Sequence, residues 1–123
     1  MATSNILGKF SDGYSAIYFV VISGVSISDL SDIDTELKNI WGSEVAGHTV
    51  TRQEINKFID DLTFAEGRAE EWSPNLLDLR ELSEKYLTWK QSHGVQVYDQ
   101  WNCRAICWQF NDKVCSLLWF NDQ

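Results

Sequence analysis

Apolar and polar positions alternate most regularly near the C-terminal end of the chain, on both sides of residues 111–112. A two-residue Asn-Asp turn there predicts strands over 103–110 and 113–120, with Trp108 opposite Cys115. Alternation with a period of two is typical of strands that bury one face. The predicted register therefore collects six apolar side chains on one face, which we expect helices to cover: Ile106, Trp108, Phe110, Cys115, Leu117 and Trp119.

The second face of this hairpin is mixed in character, and residues 5–10, a helix or another subunit are all candidates to cover it. The register sends Cys107 and Cys115 to opposite faces, which opposes a disulfide between them. With Cys103 the chain has three cysteines, an odd number without zinc or redox spacing, so reduced thiols are expected. The residues assigned to this mixed face are Ala105, Cys107, Gln109, Val114, Ser116 and Leu118.

The N-terminal part of the chain predicts a second hairpin, with strands near 5–10 and 14–22 around an Asp-Gly turn. The second of these strands is apolar on both faces and is expected to be central in the sheet. A further short strand is predicted at 95–98.

Between the hairpins the apolar positions recur every three or four residues, which predicts helices. The first covers 30–41 and ends at Gly42. The second covers 52–66 and opens with a capping box over residues 51–54, where Val50 can pack on the first turn.

A third helix is predicted near 74–92, because Ser73 and Pro74 are favourable as its N-cap and first residue. Two strands, three helices and then two or three strands make an α+β fold, with a mainly antiparallel sheet packed against about three helices. A length of 123 residues fits one domain, 1–123, and a hydrophobic fraction of 44% can build its core.

The apolar runs are too short for a membrane span, which needs roughly 20 residues. The longest run has seven residues, from Ala16 to Ile22. No secretory signal is visible near residue 1, so a cytoplasmic protein is expected.

The formal net charge is −8, and fourteen of the eighteen acidic residues lie in residues 29–90. This negative charge belongs to the predicted helices and disfavours direct binding to nucleic acid or an anionic membrane. It favours a basic protein partner. Acidic helix faces that only keep the protein soluble are the alternative interpretation.

One surface of the second helix is the candidate partner-binding site. Phe64 lies about half a turn away from the apolar stripe of a straight helix, and carboxylates surround it. An outward aromatic side chain with a charged rim is typical of an interface anchor. If Gly67 ends the helix early, Phe64 instead folds into the core. The candidate partner-binding residues are Asp60, Asp61, Phe64, Glu70, Glu71 and Trp72.

Catalytic motifs are not found in the sequence, so an enzyme is not expected. Folding would have to bring a cysteine to His48 or His93 before a thiol nucleophile and a base could meet. No metal site and no cofactor are expected, because neither histidine lies in a recognisable ligand pattern.

By size and charge alone, the chain resembles small acidic cytoplasmic proteins such as bacterial immunity proteins, which neutralise a basic toxin or nuclease, and phage inhibitors that imitate nucleic acid. No motif carries this resemblance. It implies an inhibitor that blocks a basic toxin or nuclease by stoichiometric occlusion of its active site. The alternatives are a nucleic-acid-mimicking inhibitor and a small-molecule binding module, whose pocket would be lined by tryptophans: Trp41, Trp72, Trp89 or Trp101.

Overall fold

An antiparallel sheet of six strands forms the centre of the protein in the computed structural model, which describes residues 2–11, 15–42, 51–66, 81–87 and 93–121. Along the sheet the strand order is β1-β2-β6-β5-β4-β3. The α+β fold predicted from the sequence is thereby confirmed. In chain order the elements are β1 (Thr3–Ser11), β2 (Ser15–Ser23), α1 (Leu30–Trp41), β3 (Thr51–Glu54), α2 (Ile55–Glu66), β4 (His93–Gln100), β5 (Cys103–Phe110) and β6 (Lys113–Asn121).

The C-terminal hairpin has the register that its alternation predicts. Phe110 pairs with Lys113, and Trp108 pairs with Cys115. Asn111 adopts a positive φ of 55° in the turn, a conformation that asparagine tolerates better than most residues. The hairpin lies in the interior of the sheet, between β2 and β4, which explains why both of its faces are rich in apolar residues.

Helices cover both faces of the sheet. On one face, Ile33 and Leu37 of α1 pack with Cys107 and Leu118 in a first core. This result answers the question of what covers the mixed face of the C-terminal hairpin: it is helix α1. On the other face, α2 packs on the six-residue apolar surface predicted from the sequence, through Ile55, Phe58 and Ile59.

The predicted capping box at residues 51–54 is wrong, because Thr51–Glu54 is strand β3 and α2 begins only at Ile55. β3 pairs antiparallel with β4, Thr51 opposite Gln96 and Glu54 opposite His93. Backbone hydrogen bonds to a neighbouring strand here outweigh a local helix-start signal, since propensity is a weak preference that tertiary pairing overrides. Val50 lies outside the described residues.

The third predicted helix, 74–92, is described only over residues 81–87, and it is helical only as far as residue 84. The backbone N–H groups of residues 85–87 bond three residues back, which tightens the last turn. The carbonyl of Tyr86 accepts a hydrogen bond of 2.8 Å from the Trp108 indole. β4 begins at His93 and is longer than the predicted strand at 95–98.

Candidate protein-binding surface

Helix α1 is held on the sheet by both apolar and polar contacts. Ile33 and Leu37 are fully buried beneath it. The hydroxyl of Tyr98, on β4, donates a hydrogen bond to the carboxylate of Asp34 and lies 3.3 Å from that residue's backbone carbonyl oxygen. Gly42 ends the helix in the left-handed conformation at φ 80°, and its N–H bonds to the carbonyl of Lys38. The predicted helix over 30–41 and its stop at Gly42 are therefore confirmed.

One flank of α1 carries a row of carboxylates, which we call the α1 acidic stripe: Asp29, the residue before the helix, and Asp32 and Glu36 within it. Their spacing of three and four residues places them on one side of the helix, over about 10 Å of its axis. Asp29 and Asp32 are exposed, and Glu36 is partly exposed. Asp29 also accepts a hydrogen bond of 3.0 Å from the backbone N–H of Ser26, which orients its carboxylate before the first turn.

The single lysine of α1 does not belong to this stripe. Lys38 forms an ion pair of 3.0 Å with Asp34, one turn before it in the helix. Asp34 is thus engaged by Lys38 and by Tyr98 together, and its charge is largely balanced within the protein. No other basic residue occurs between residues 29 and 41, so this segment supplies no lysine or arginine to pair with Asp29, Asp32 or Glu36.

The surface predicted on α2 is only partly described. Asp61 forms an ion pair of 2.9 Å with Lys57, one helical turn away and similarly exposed. Such exposed pairs contribute little stability, but they reduce the local negative charge. Asp60 and Phe64 belong to the backbone of α2, while their side chains lie outside what the structure describes.

Glu70, Glu71 and Trp72 also lie outside the described residues. The two alternatives for Phe64, an outward anchor and a core residue, are therefore both predictions from the sequence. Of the two acidic helices, α1 is the one whose outward charge the structure describes in full.

The cysteines, which were candidates for a thiol nucleophile, are buried in the sheet. All three are free, and Cys107 and Cys115 lie in the cores on opposite faces, as the register predicts. Burial raises the pKa of each thiol to about 12. Cys107 donates a hydrogen bond of 3.4 Å to the Ser116 hydroxyl. Thiols in this state stay protonated at neutral pH and are poor nucleophiles.

Two further sequence hypotheses concern metal binding and membranes. Across the described ranges, no group of three or more histidine, cysteine or acidic side chains is placed to hold a metal ion. None of the helices in those ranges is long and apolar enough to cross a membrane. His93 lies at the exposed start of β4, and His48 is outside the described residues.

The tryptophans proposed as a pocket lining have different environments. Trp41 packs on Phe120 with ring centroids 6.0 Å apart. Trp101 lies in the turn between β4 and β5, and 73% of it is exposed. Trp72 and Trp89 are outside the described residues.

Two exposed apolar residues had not been singled out from the sequence. Ile6 and Leu7, on β1, are 49% and 41% exposed. Their run of apolar letters predicted a strand, but only the strand order shows that this strand lies at the edge of the sheet. The α1 acidic stripe, in contrast, could have been found from its three- and four-residue spacing beside the apolar positions Ile33 and Leu37.

Comparison with known proteins matched no protein-family model, no curated protein and no solved structure.

Proposed function

We propose that the protein is a small acidic inhibitor of the immunity type, which binds a basic toxin or nuclease and occludes its active site stoichiometrically. The observation that carries this proposal is the α1 acidic stripe. Asp29 and Asp32 are exposed and Glu36 is partly exposed, whereas the lysine of the helix, Lys38, pairs with Asp34. A row of like charges on a rigidly held helix is suited to meet lysines and arginines of a partner.

Electrostatic attraction would act first in the encounter. A net charge of −8, concentrated on the helices, raises the rate of association with a basic surface, and salt weakens this effect. The attachment of α1 through Tyr98 holds the helix backbone that carries Asp32 and Glu36 on the sheet, which lowers the entropy cost of ordering it on binding. No bond in the partner needs to be made or broken.

The α2 residues remain part of the proposal as a second acidic surface. Asp60, Asp61, Glu70 and Glu71 would form its charged rim, with Phe64 and Trp72 as apolar anchors. Each helix contains three acidic residues, one lysine and one Lys–Asp ion pair. We rank the α1 acidic stripe first because the structure describes the exposure of all three of its residues.

The test begins with capture of partners by the immobilised protein from a lysate of its source organism, followed by elution in a salt gradient. Each retained basic protein is then purified and assayed for toxicity or nuclease activity, with the inhibitor titrated in. The expected result is complete inhibition at one inhibitor per partner, with an association rate that falls steeply as salt rises. A partner that is retained but keeps full activity would overturn the proposal.

Charge-reversal variants locate the surface. The triple variant Asp29→Lys, Asp32→Lys and Glu36→Lys should lower the association rate by about tenfold or more. A matched control reverses three exposed acids elsewhere, at Glu81, Glu84 and Asp112, and changes the net charge by the same amount.

The two triple variants lead to different conclusions. Equal losses in both would mean that only net charge matters, and would contradict a defined site on α1. A loss confined to a third variant, with Asp60, Asp61, Glu70 and Glu71 reversed, would move the site to the α2 surface.

A further inference from the structure

Strand β1 forms one edge of the sheet, and two adjacent large apolar residues are exposed on it. Ile6 and Leu7 are 49% and 41% exposed, and Trp101 is the one other large apolar residue exposed to this degree among the described residues. Only β2 pairs with β1 in the described part of the chain. The outer backbone groups of an edge strand can pair with another strand, and an exposed apolar edge favours such pairing.

The two halves of β1 differ in how they are protected. The register with β2 shifts between Ile6 and Gly8, so that Leu7 is an extra residue in a bulge. Beyond the bulge, the ammonium group of Lys9 lies 5.4 Å from the centroid of the Tyr18 ring. Bulges and lysines are features that discourage pairing at a sheet edge. The half before the bulge, Thr3–Ile6, has neither feature.

Charge decides which kind of strand fits this edge. The Thr3–Ile6 segment, Thr-Ser-Asn-Ile, is uncharged, and the described parts of β1 and β2 contain no carboxylate. A strongly basic partner is attracted to the acidic helices and gains nothing from this edge. Two copies of a chain with net charge −8 repel each other least where they carry no acidic residues.

We propose that two copies of the protein associate through Thr3–Ile6 in a twofold antiparallel pair that joins the two sheets. A twofold axis perpendicular to the sheet passes between a residue and its own counterpart, so the pair is centred on Asn5, with Ser4 of one copy opposite Ile6 of the other. A twofold interface of this kind uses the same surface on both copies and closes after two. Pairing in this half keeps the Leu7 bulge and Lys9 outside the new ladder, and it brings the exposed Ile6 side chains against the second copy.

The experiment measures the molar mass of the purified protein by sedimentation velocity over roughly a thousandfold range of concentration. The expected result is a shift from one chain to two with rising concentration. Salt should strengthen the dimer, because it screens the repulsion between two acidic molecules. Binding of a basic partner, as proposed above, responds to salt in the opposite direction, so the two proposals fail independently.

Two variants test whether Thr3–Ile6 forms the dimer interface. Ile6→Lys places like charges on both sides of the twofold pair and should abolish the dimer. Trp101→Lys adds the same charge at another exposed apolar side chain and should leave the dimer intact. Hydrogen exchange supplies a second measurement: the amides of Thr3–Ile6 should gain protection with concentration in the wild type but not in Ile6→Lys. A protein that is monomeric at every concentration and salt would overturn the proposal, and so would a dimer that survives Ile6→Lys.

Discussion

The Tyr98 hydroxyl donates a hydrogen bond to the carboxylate of Asp34, and this bond connects the centre of α1 to strand β4. Burial raises the pKa of Tyr98, and the hydrogen bond to Asp34 raises it further. The same carboxylate pairs with Lys38 on the solvent side. The contact therefore fixes the helix that carries the α1 acidic stripe to the sheet.

Removal of the Tyr98 hydroxyl should lower the stability of the folded protein. In Tyr98→Phe the Asp34 carboxylate loses a hydrogen-bond donor in a partly buried position, which should lower the free energy of unfolding by about 1–3 kcal/mol. Urea denaturation of the wild type and the variant measures the difference. Tyr18→Phe is the control, because Tyr18 is a partly buried tyrosine that packs against the same core, edge-on to Phe120. Equal stability of the two variants would contradict the role given to Tyr98.

The buried thiols should make the protein sensitive to alkali. Burial raises the pKa of Cys103, Cys107 and Cys115 from the ordinary 9.0 to about 12. Below pH 9 both the folded and unfolded chains hold the thiol protons, and the stabilising contribution of burial is complete. Above pH 9 the unfolded chain releases these protons first, so stability should fall as the pH rises toward 12. Each thiol should contribute a slope of about 1.4 kcal/mol per pH unit.

Urea denaturation at several pH values between 8 and 11 tests this linkage. Cys107→Ala should be less stable than the wild type at pH 8, because it leaves a small cavity, but its stability should fall less steeply above pH 9. A slope identical to that of the wild type would show that Cys107 does not titrate on unfolding.

Gly94 is required by the close approach of β4 and β5. A Cβ atom at this position would lie 2.6 Å from the backbone carbonyl oxygen of Cys107 and 2.9 Å from the Ile106 side chain. Gly94→Ala must therefore push the two strands apart, and we expect a loss of about 1–3 kcal/mol in the free energy of unfolding. Thermal unfolding followed by circular dichroism measures it, and an unchanged midpoint would contradict the tight packing.

Gly42 is needed for a different reason. A Cβ atom there meets nothing within 4 Å, but the residue has φ +80°. Gly42→Ala should cost about 1 kcal/mol, and Gly42→Asn should cost less, because asparagine tolerates this conformation. Urea denaturation ranks the two variants. If alanine is no worse than asparagine, backbone conformation is not what selects glycine here.

The sequence predicted the elements whose signals are local and mutually consistent. The C-terminal hairpin follows from its alternation and its Asn-Asp turn, and α1 follows from its apolar period and Gly42. Residues 51–54 were misread because Thr-Arg-Gln-Glu is a good helix start, and only the presence of β4 beside it makes it a strand. Within the described residues 81–87 the third predicted helix is helical only to residue 84, and the contact between the Tyr86 carbonyl and the distant Trp108 indole could not be read from the local pattern.

The candidate site was predictable only in outline. Composition showed that the helical part of the chain is acidic, but the contribution of each carboxylate depends on its neighbours in space. Asp34 and Asp61 each have a lysine four residues away and form an ion pair with it, whereas Asp32 has Glu36 at that spacing. The exposure of Ile6 depends on strand order, which the hydrophobic pattern of one strand does not contain.

The two-sided burial of the C-terminal hairpin has a consequence for how the protein unfolds. Neighbouring residues of β5, such as Cys107 and Trp108, belong to different cores, so neither helical layer can be released without disturbing the strands that the other layer needs. A slip of one residue in the pairing would exchange the contents of both cores at once. The molecule should therefore lose its structure in a single step, without a stable half-folded form that exposes one face of the sheet to aggregation.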